Sequence, residues 1–357
     1  MSYKEMLEEV RAITKGKDRC TDAVINILKK YKCIYILSQI PECANDNLAF
    51  VTINHIIQDY RYKFCEELFK ELNEIPYAVV KGAVLSNRIY GESYFRTSSD
   101  IDLLIDPKNI ECVIRILKKF GFVQGKAKDD TIEKFTREEL VYYKIYTHQL
   151  APFEKKTDLA LSPVVNIDIN FAILWGESNQ IIEMEEYLSY IERRTVFGVE
   201  VKTLSPVHEF IALCLHHYKD MNSTYLIAER GVNLNHFYDI YYYLINVELD
   251  LDELNAYAEK YKVKEYVYYC IYYTNEIFKH PCLETYLLKL HTPQVCALLD
   301  YYGLTEKERA KWLFSFPERL FDVNFVERFR KSLIEDDLRK IRINRHYMGK
   351  GRELLNE

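Results

Sequence analysis

The chain has no apolar run that approaches the ~18 residues needed to cross a bilayer. It shows no internal repeat and no low-complexity linker. Its first residues, MSYKEMLEEVRAITKGK, alternate charged and apolar positions and lack the uninterrupted apolar core of a secretory signal. Nine cysteines are scattered without a single C-x-x-C pair. An odd, unpatterned set argues against a disulfide framework and against a zinc knuckle, and points to free thiols in a reducing compartment. The net charge of −6 gives no general attraction to nucleic acid. The expectation is a cytoplasmic protein with no membrane contact.

What is present fits an ordinary globular chain. The 357 residues are 48% hydrophobic and 29% charged, and at ~150 residues per domain the length suggests about two domains. One stretch departs from the overall acidity. RKIRINRHYMGKGR, Arg339 to Arg352, holds six Lys/Arg and no acid. It is read as a solvated C-terminal tail, with a phosphate or RNA contact as the alternative.

The pattern divides the chain into three parts. Residues 1–75 read as helical. NLAFVTINHIIQDYRYKFCEELFKELNEI places apolar residues at 48, 51, 53, 56, 57, 60, 64, 68 and 72, the spacing of one long amphipathic helix. Asn45, Asp46 or Asn47 could cap it. An earlier helix is predicted over Thr21 to Leu37, with Pro41 breaking the chain after it. Residues 76–203 change character. YAVVKG reads as a strand, AVLSNRIY as a helix, DIDLLID as a strand, and PKNIECVIRILKKFGF as a helix with Pro107 in its first turn and Gly121 at its C-terminus. LVYYKIYTHQLA and VVNIDINFAIL read as two more strands, and RRTVFGVEVKTLS as a hairpin turning at Gly198. Residues 204–357 are helical again, from SPVHEFIALCLHHYKD onward. The expected fold is therefore α+β, a mixed sheet flanked by helical segments. The 30 tyrosines sit mostly at helical spacing and read as packing rather than as a base-stacking platform.

The acids in DIDLLID need a reason, because Asp is a poor strand former. Alternate strand residues share a face, so Asp100, Asp102, Leu104 and Asp106 point one way and Ile101, Leu103 and Ile105 the other. Two carboxylates two residues apart repel each other, and covering them is costly. A divalent cation removes both difficulties, and Mg²⁺ takes one or two carboxylates together with substrate phosphates. A solvent-facing edge strand is the bland alternative. A second apolar strand carries Asp168, with Asn170 on the same face, and two such strands suggest one shared site. Asp106, ~20 Å from Asp100 along the strand, reads as the cap of the next helix. His148 is placed on a strand near the site. His216 and His217 lie on a helix without a zinc pattern, and packing or a bond to Asp239 is their simplest role.

Lys-Gly after a strand, an Arg and a Ser before DIDLLID, and NIDIN some sixty residues later resemble the nucleotidyltransferase superfamily that includes DNA polymerase beta. The chain is most similar to a family of bacterial nucleotidyltransferases of undetermined substrate, over about residues 50–245. That resemblance implies roles. Asp100 and Asp102 would hold Mg²⁺ (or Mn²⁺) bridging a nucleoside triphosphate. Asp168 would complete the metal site and orient or deprotonate an acceptor hydroxyl. Lys81, Gly82, Arg96, Ser98 and Ser99 would contact the triphosphate. The family's usual Gly-Ser is here Gly82-Ala83, Asp100 comes eighteen positions after Gly82, and Asn170 replaces the His after the third Asp. The implied reaction moves an NMP group, expected from ATP, to a hydroxyl of a small molecule or protein, with nucleic acid less favoured as acceptor. Two other readings stand beside it: a non-catalytic nucleotide- or partner-binding member of the same fold, and a metal-dependent glycosyltransferase using Asp-x-Asp.

Overall fold

The structure, a computed structural model, describes residues 1–348 except 18, 177 and 179. In chain order the N-terminal helices are α1 (Tyr3–Thr14), α2 (Asp22–Lys30), α3 (Ile34–Gln39), α4 (Pro41–Phe64) and α5 (Glu66–Leu72). The mixed region follows as β1 (Tyr77–Val80), α6 (Gly82–Tyr90), β2 (Ile101–Ile105), α7 (Ile110–Lys119), β3 (Val123–Lys128), β4 (Thr131–Lys134), α8 (Arg137–Tyr146), β5 (Phe153–Lys156), β6 (Val164–Asn170), α9 (Met184–Tyr187), β7 (Ile191–Val196) and β8 (Val199–Leu204). Helices then dominate: α10 (Pro206–Asn222), α11 (Thr224–Arg230), α12 (Leu234–Asn246), α13 (Leu251–Lys260), α14 (Lys264–Phe278) and α15 (Pro281–Leu290). A small ribbon of β9 (Tyr301–Tyr302) and β10 (Ala310–Lys311) precedes α16 (Phe316–Phe321), α17 (Phe325–Ser332) and α18 (Glu335–Tyr347). The chain forms two compact units, residues 48–209 and residues 1–47 with 210–357.

The first unit is an α+β unit built on a six-stranded mixed sheet of order β1-β2-β6-β5-β3-β4. Only β2 and β6 run parallel; the other neighbours are antiparallel. One face carries Tyr77, Val79, Ile101, Leu103, Ile105, Val165, Ile167 and Ile169, all buried in a core with α5 and α7. The opposite face carries the acids. β7 and β8 form the expected hairpin, with positive φ at Phe197 (53°) and Gly198 (79°), as a two-residue turn requires.

Several elements differ from the expectation. The segment predicted as a strand, Leu140 to Ala151, is mostly the helix α8. Thr136 and Glu139 close a capping box at its start, and this local bond outweighs the β-propensity of the tyrosines that follow. His148 accordingly stands not on a strand but in the turn after α8, at φ 53°. The single helix predicted over Thr21–Leu37 is two. Lys32, at φ 54°, lets the Cys33 N–H reach back to the Leu28 carbonyl at 2.9 Å, a helix stop that usually advertises itself with glycine. Lys262 (φ 55°) ends α13 in the same way, Val263 bonding Ala258. Pro41 does mark a break, since α3 ends at Gln39 and Ile40 is extended, but it also opens α4, so Asn45, Asp46 and Asn47 are helix-interior residues and not caps. The helix predicted from residue 47 to 75 is interrupted at Cys65, and its early apolar positions Leu48, Ile53 and Ile56 are exposed.

The helical unit is packed with aromatic residues, Tyr218, Phe237, Tyr238, Tyr243, Tyr269 and Phe278 among those fully buried. The tyrosines of α12 and α14 thus serve as core. His217 Nε2 lies 3.1 Å from Asp239 Oδ2, both side chains fully buried. All nine cysteines are free. Among the described residues no helix is long and apolar enough to cross a membrane. The basic stretch from Arg339 continues α18; its residues 349–352 lie outside the described residues.

A buried ion network anchors α6. Arg88 donates from Nη2 to Glu192 Oε1 (2.9 Å) and to the Leu204 carbonyl (2.8 Å), while its Nε pairs with Glu209. The Arg88 and Glu209 side chains are 3% and 4% exposed, so deleting one partner strands a buried charge. Arg88→Met is expected to lower the unfolding free energy by about 3–5 kcal/mol. The double variant Arg88→Met/Glu209→Gln should recover part of that loss, read from urea unfolding midpoints. Equal losses in the single and double variants would mean that the unpaired charge is not the cause.

Candidate active site

The site begins at the exit of β1. Lys81 (φ 60°) and Gly82 (φ 47°) both occupy positive φ, which is uncommon for a lysine and marks a backbone held against its preference. This sharp turn starts α6 at Gly82. A Cβ on Gly82 would meet Ser98 Oγ at 3.3 Å, so glycine is needed for the close approach as well as for the turn. The same turn directs the Lys81 ammonium to Asp102 Oδ1, 3.0 Å away, with both side chains largely buried.

Asp102 lies within β2 and Asp100 just before it. The β2–β6 ladder sets Asp102 directly opposite Asp168 and Leu104 opposite Asn170. Cross-strand partners share a face, so the strands bring Asp100, Asp102, Asp168 and Asn170 together. Asn170 Nδ2 donates to Asp102 Oδ1 at 3.2 Å and its Oδ1 accepts from Gln149 Nε2 at 2.5 Å. Asp100 is held by hydroxyls, Oδ1 accepting from Ser98 (2.9 Å) and Oδ2 from Ser99 (3.3 Å). Asp106 is separate. It caps the turn after β2, accepting from the Lys108 N–H at 2.8 Å.

The loop before β2 is clamped from α4. Asn54 Nδ2 donates to the Tyr94 carbonyl (2.6 Å), and both Gln58 Nε2 (2.8 Å) and Arg61 Nη1 (2.7 Å) donate to the Ser98 carbonyl. Arg61 Nε also reaches Ser162 Oγ at 3.0 Å. From α6, Ser86 Oγ accepts the N–H groups of Phe95 (3.1 Å) and Arg96 (3.2 Å). Asn54, Gln58 and Arg61 were not singled out in the sequence. Their spacing of four and three residues through an apolar helix was the available signal, a polar stripe on one face.

Burial and mutual repulsion dominate the electrostatics. Burial pushes the Asp168 carboxyl well above the usual range, and the charges of Asp100 and Asp102 push it further, against the pull of Lys81. Asp100 is raised by burial and then by Asp102, opposed by Ser98, Lys81 and Ser99. Glu154, on β5 opposite Asn166, is raised by burial while the Ala127 N–H, 2.5 Å away, works to lower it. Asp168 Oδ1 is buried with no hydrogen-bond partner among the described residues. Among those residues no three His, Cys, Asp or Glu side chains stand in metal-ligating geometry, and the cation next to Asp102 is the Lys81 ammonium. The donors are nonetheless of the right kind for a hard divalent ion, carboxylate oxygens on one face with one of them orphaned.

A lysine-glycine turn, two acids on one strand and a third in register on its parallel neighbour form a pattern that can be compared with known families. Residues 58–279 match the model of a family described as uncharacterised nucleotidyltransferase. The chain belongs to that family. The matched stretch takes in Gln58, Arg61 and all three acids. Among solved structures, the chain is similar to an antigenic nucleotidyltransferase-like protein from Paracoccidioides brasiliensis, at 16% identity and a TM-score of 0.36, covering 64% of this chain and 92% of that one. A search of curated proteins returns no match.

The raised carboxyls make a signed prediction for the metal-free protein. A carboxyl whose folded value lies above its unfolded value keeps its proton in the fold where the open chain has lost it. Its stabilising contribution is complete below the ordinary carboxylate range and disappears as pH rises through the folded value. In EDTA, stability should therefore fall as pH rises from the ordinary carboxylate range through the raised values of Asp168 and Asp100. Asp168→Asn should flatten that fall and raise the midpoint of thermal unfolding at neutral pH by about 2 °C or more. Parallel pH profiles for the two proteins would contradict the assignment.

Proposed function

We propose that this nucleotidyltransferase uses a divalent cation, Mg²⁺ or Mn²⁺, to move an NMP group from a nucleoside triphosphate, ATP in the first instance, to an acceptor hydroxyl, releasing pyrophosphate. The observation that carries the reading is the register of β2 and β6, which sets Asp102 opposite Asp168 with Asp100 two residues back. Asp100, Asp102 and Asp168 would hold the metal. When bound, a divalent ion neutralises the carboxylates and the charge that develops on the transferring phosphate and the leaving pyrophosphate.

The chain's own groups supply the rest. Lys81 leaves Asp102 for the triphosphate, exchanging one anionic partner for another. Gly82 and the residues after it offer the open N–H groups of the α6 N-terminus to phosphate oxygens. Ser98 Oγ lies against Gly82, so a loop hydroxyl stands close to where the family's Gly-Ser carries its own. Arg96 and Ser99, on the same clamped loop, add charge and a hydroxyl toward the phosphates. Asp168 would also orient the acceptor hydroxyl and accept its proton. The acceptor belongs to a small molecule or a protein; the acidity of the chain disfavours nucleic acid.

Transfer of label from α-labelled ATP to cell components, followed by measurement of the added mass, tests the reaction. ATP should raise the unfolding temperature with Mg²⁺ or Mn²⁺ present and have no such effect in EDTA, since three carboxylates repel a bare triphosphate. Stabilisation that persists in EDTA would sink the metal site. Asp102→Asn should reduce transfer by about two orders of magnitude or more, the equivalent of several kcal/mol at the transition state, without loss of fold. Lys81→Ala should chiefly raise the apparent KM for the triphosphate, about tenfold or more, as expected for one charge-assisted bond. Metal-dependent triphosphate binding with no transfer to any component would favour the non-catalytic reading. Family membership leaves the glycosyltransferase reading without a supporting observation.

A further inference from the structure

The helical unit contains a buried cation that no acid among the described residues answers. Arg319, on α16, is 5% exposed. Its guanidinium carbon lies 4.3 Å from the ring centroid of Trp312, 4.9 Å from that of Tyr273 and 5.1 Å from that of Phe316. Arg319 Nε is buried without a hydrogen-bond partner among the described residues, and so is Trp312 Nε1 beside it. The neighbouring acids are engaged elsewhere. Glu318 and Asp322 both pair with Arg328, and Glu318 also accepts from Ser315.

A guanidinium keeps its charge at any accessible pH. Three aromatic faces attract it, but a ring face accepts no N–H in the plane of the fork. A buried water would satisfy the two donors and leave the charge unanswered. An oxyanion does both, taking the guanidinium N–H and the indole N–H while neutralising the cation. The contrast with Arg88 is direct, since that buried arginine has two glutamates. We propose that Arg319 and Trp312 form a binding site for a small oxyanion, a phosphate or carboxylate group, walled by Tyr273 and Phe316. The site lies within the helical unit and does not depend on the reaction proposed above.

The chain has two tryptophans, so Trp175→Phe leaves Trp312 as the sole indole reporter. Full-length Trp175→Phe protein in a phosphate-free buffer is titrated with inorganic phosphate, sodium acetate or sodium chloride at matched ionic strength. A saturable change in Trp312 emission is expected with phosphate or acetate and not with chloride, and the responding anion identifies the source as phosphate or carboxylate. Arg319→Met in the same background should abolish the response. Arg319→Lys, which keeps the charge and loses the fork, should weaken it about tenfold, one charge-assisted hydrogen bond's worth. No response beyond chloride overturns the proposal, leaving the three rings as the whole of the cation's environment. So does a response of full strength in Arg319→Met or, should that variant not fold, in Arg319→Lys.

Discussion

Everything at the site follows from one constraint: two neighbouring parallel strands in fixed register hold carboxylates against each other. Asp102 faces Asp168 across the ~4.8 Å that separates paired strands. Neither strand can rotate its acid away, because a slip of one residue would turn Ile101, Leu103, Ile167 and Ile169 out of the core. At an effective dielectric near 20, two charges about 5 Å apart repel by ~3 kcal/mol. The hydrophobic face of the sheet thus enforces the repulsion on the polar face. Donors and a cation bond two of the acids: the Lys81 ammonium and the Asn170 amide on Asp102, and the Ser98 and Ser99 hydroxyls on Asp100. Lys81 reaches its place only through a positive φ, so the electrostatic demand is met partly with backbone strain.

The donors are themselves positioned. Ser98 bonds Asp100 through its hydroxyl, while its carbonyl takes N–H groups from both Gln58 and Arg61 on α4. One serine therefore ties Asp100 to a rigid helix. Ser86 secures the other end of the same loop from α6, and the buried Arg88 network secures α6 to β8. Asp102 and Asp168 sit on strands, Asp100 just before one, and the loop that supports Asp100 is clamped from helices, an arrangement that holds side chains more tightly than a free loop could.

Those layers were unequally legible. Strand β2 and its faces, the helix after Pro107, strand β6 and the Gly198 hairpin all carry period-two or period-3.6 patterns with ordinary stop signals, and the structure has them. The β3–β4 ribbon escaped because VQGKAK and TIEK have few apolar residues to alternate. Helix α8 escaped because its tyrosines read equally well at period two. Lys32 and Lys262 stop their helices from positions where glycine would have been conspicuous. At the site, acids in an apolar run are loud signals. Gln58 and Arg61 are quiet ones, since an amide and a cation on a helix ordinarily mean a solvated face, and only the tertiary structure shows Gln58 at 1% exposure.

The same strand also shows why burial alone does not mark a functional acid. Asp102 and Asp106 are buried to nearly the same degree, 9% and 6% exposed. Asp106 spends its oxygens locally, one on the Lys108 N–H and the other 3.6 Å from the Lys108 ammonium. Removing it would undo a turn. Asp168, across the ladder from Asp102, has an oxygen that no group in the described chain satisfies, and the charges that act on it most strongly are of its own sign. A fold under selection for stability alone would exchange such a residue for asparagine, which keeps the shape and removes the repulsion. Its presence in register opposite Asp102 is intelligible if a cation arrives with the substrate and relieves that repulsion.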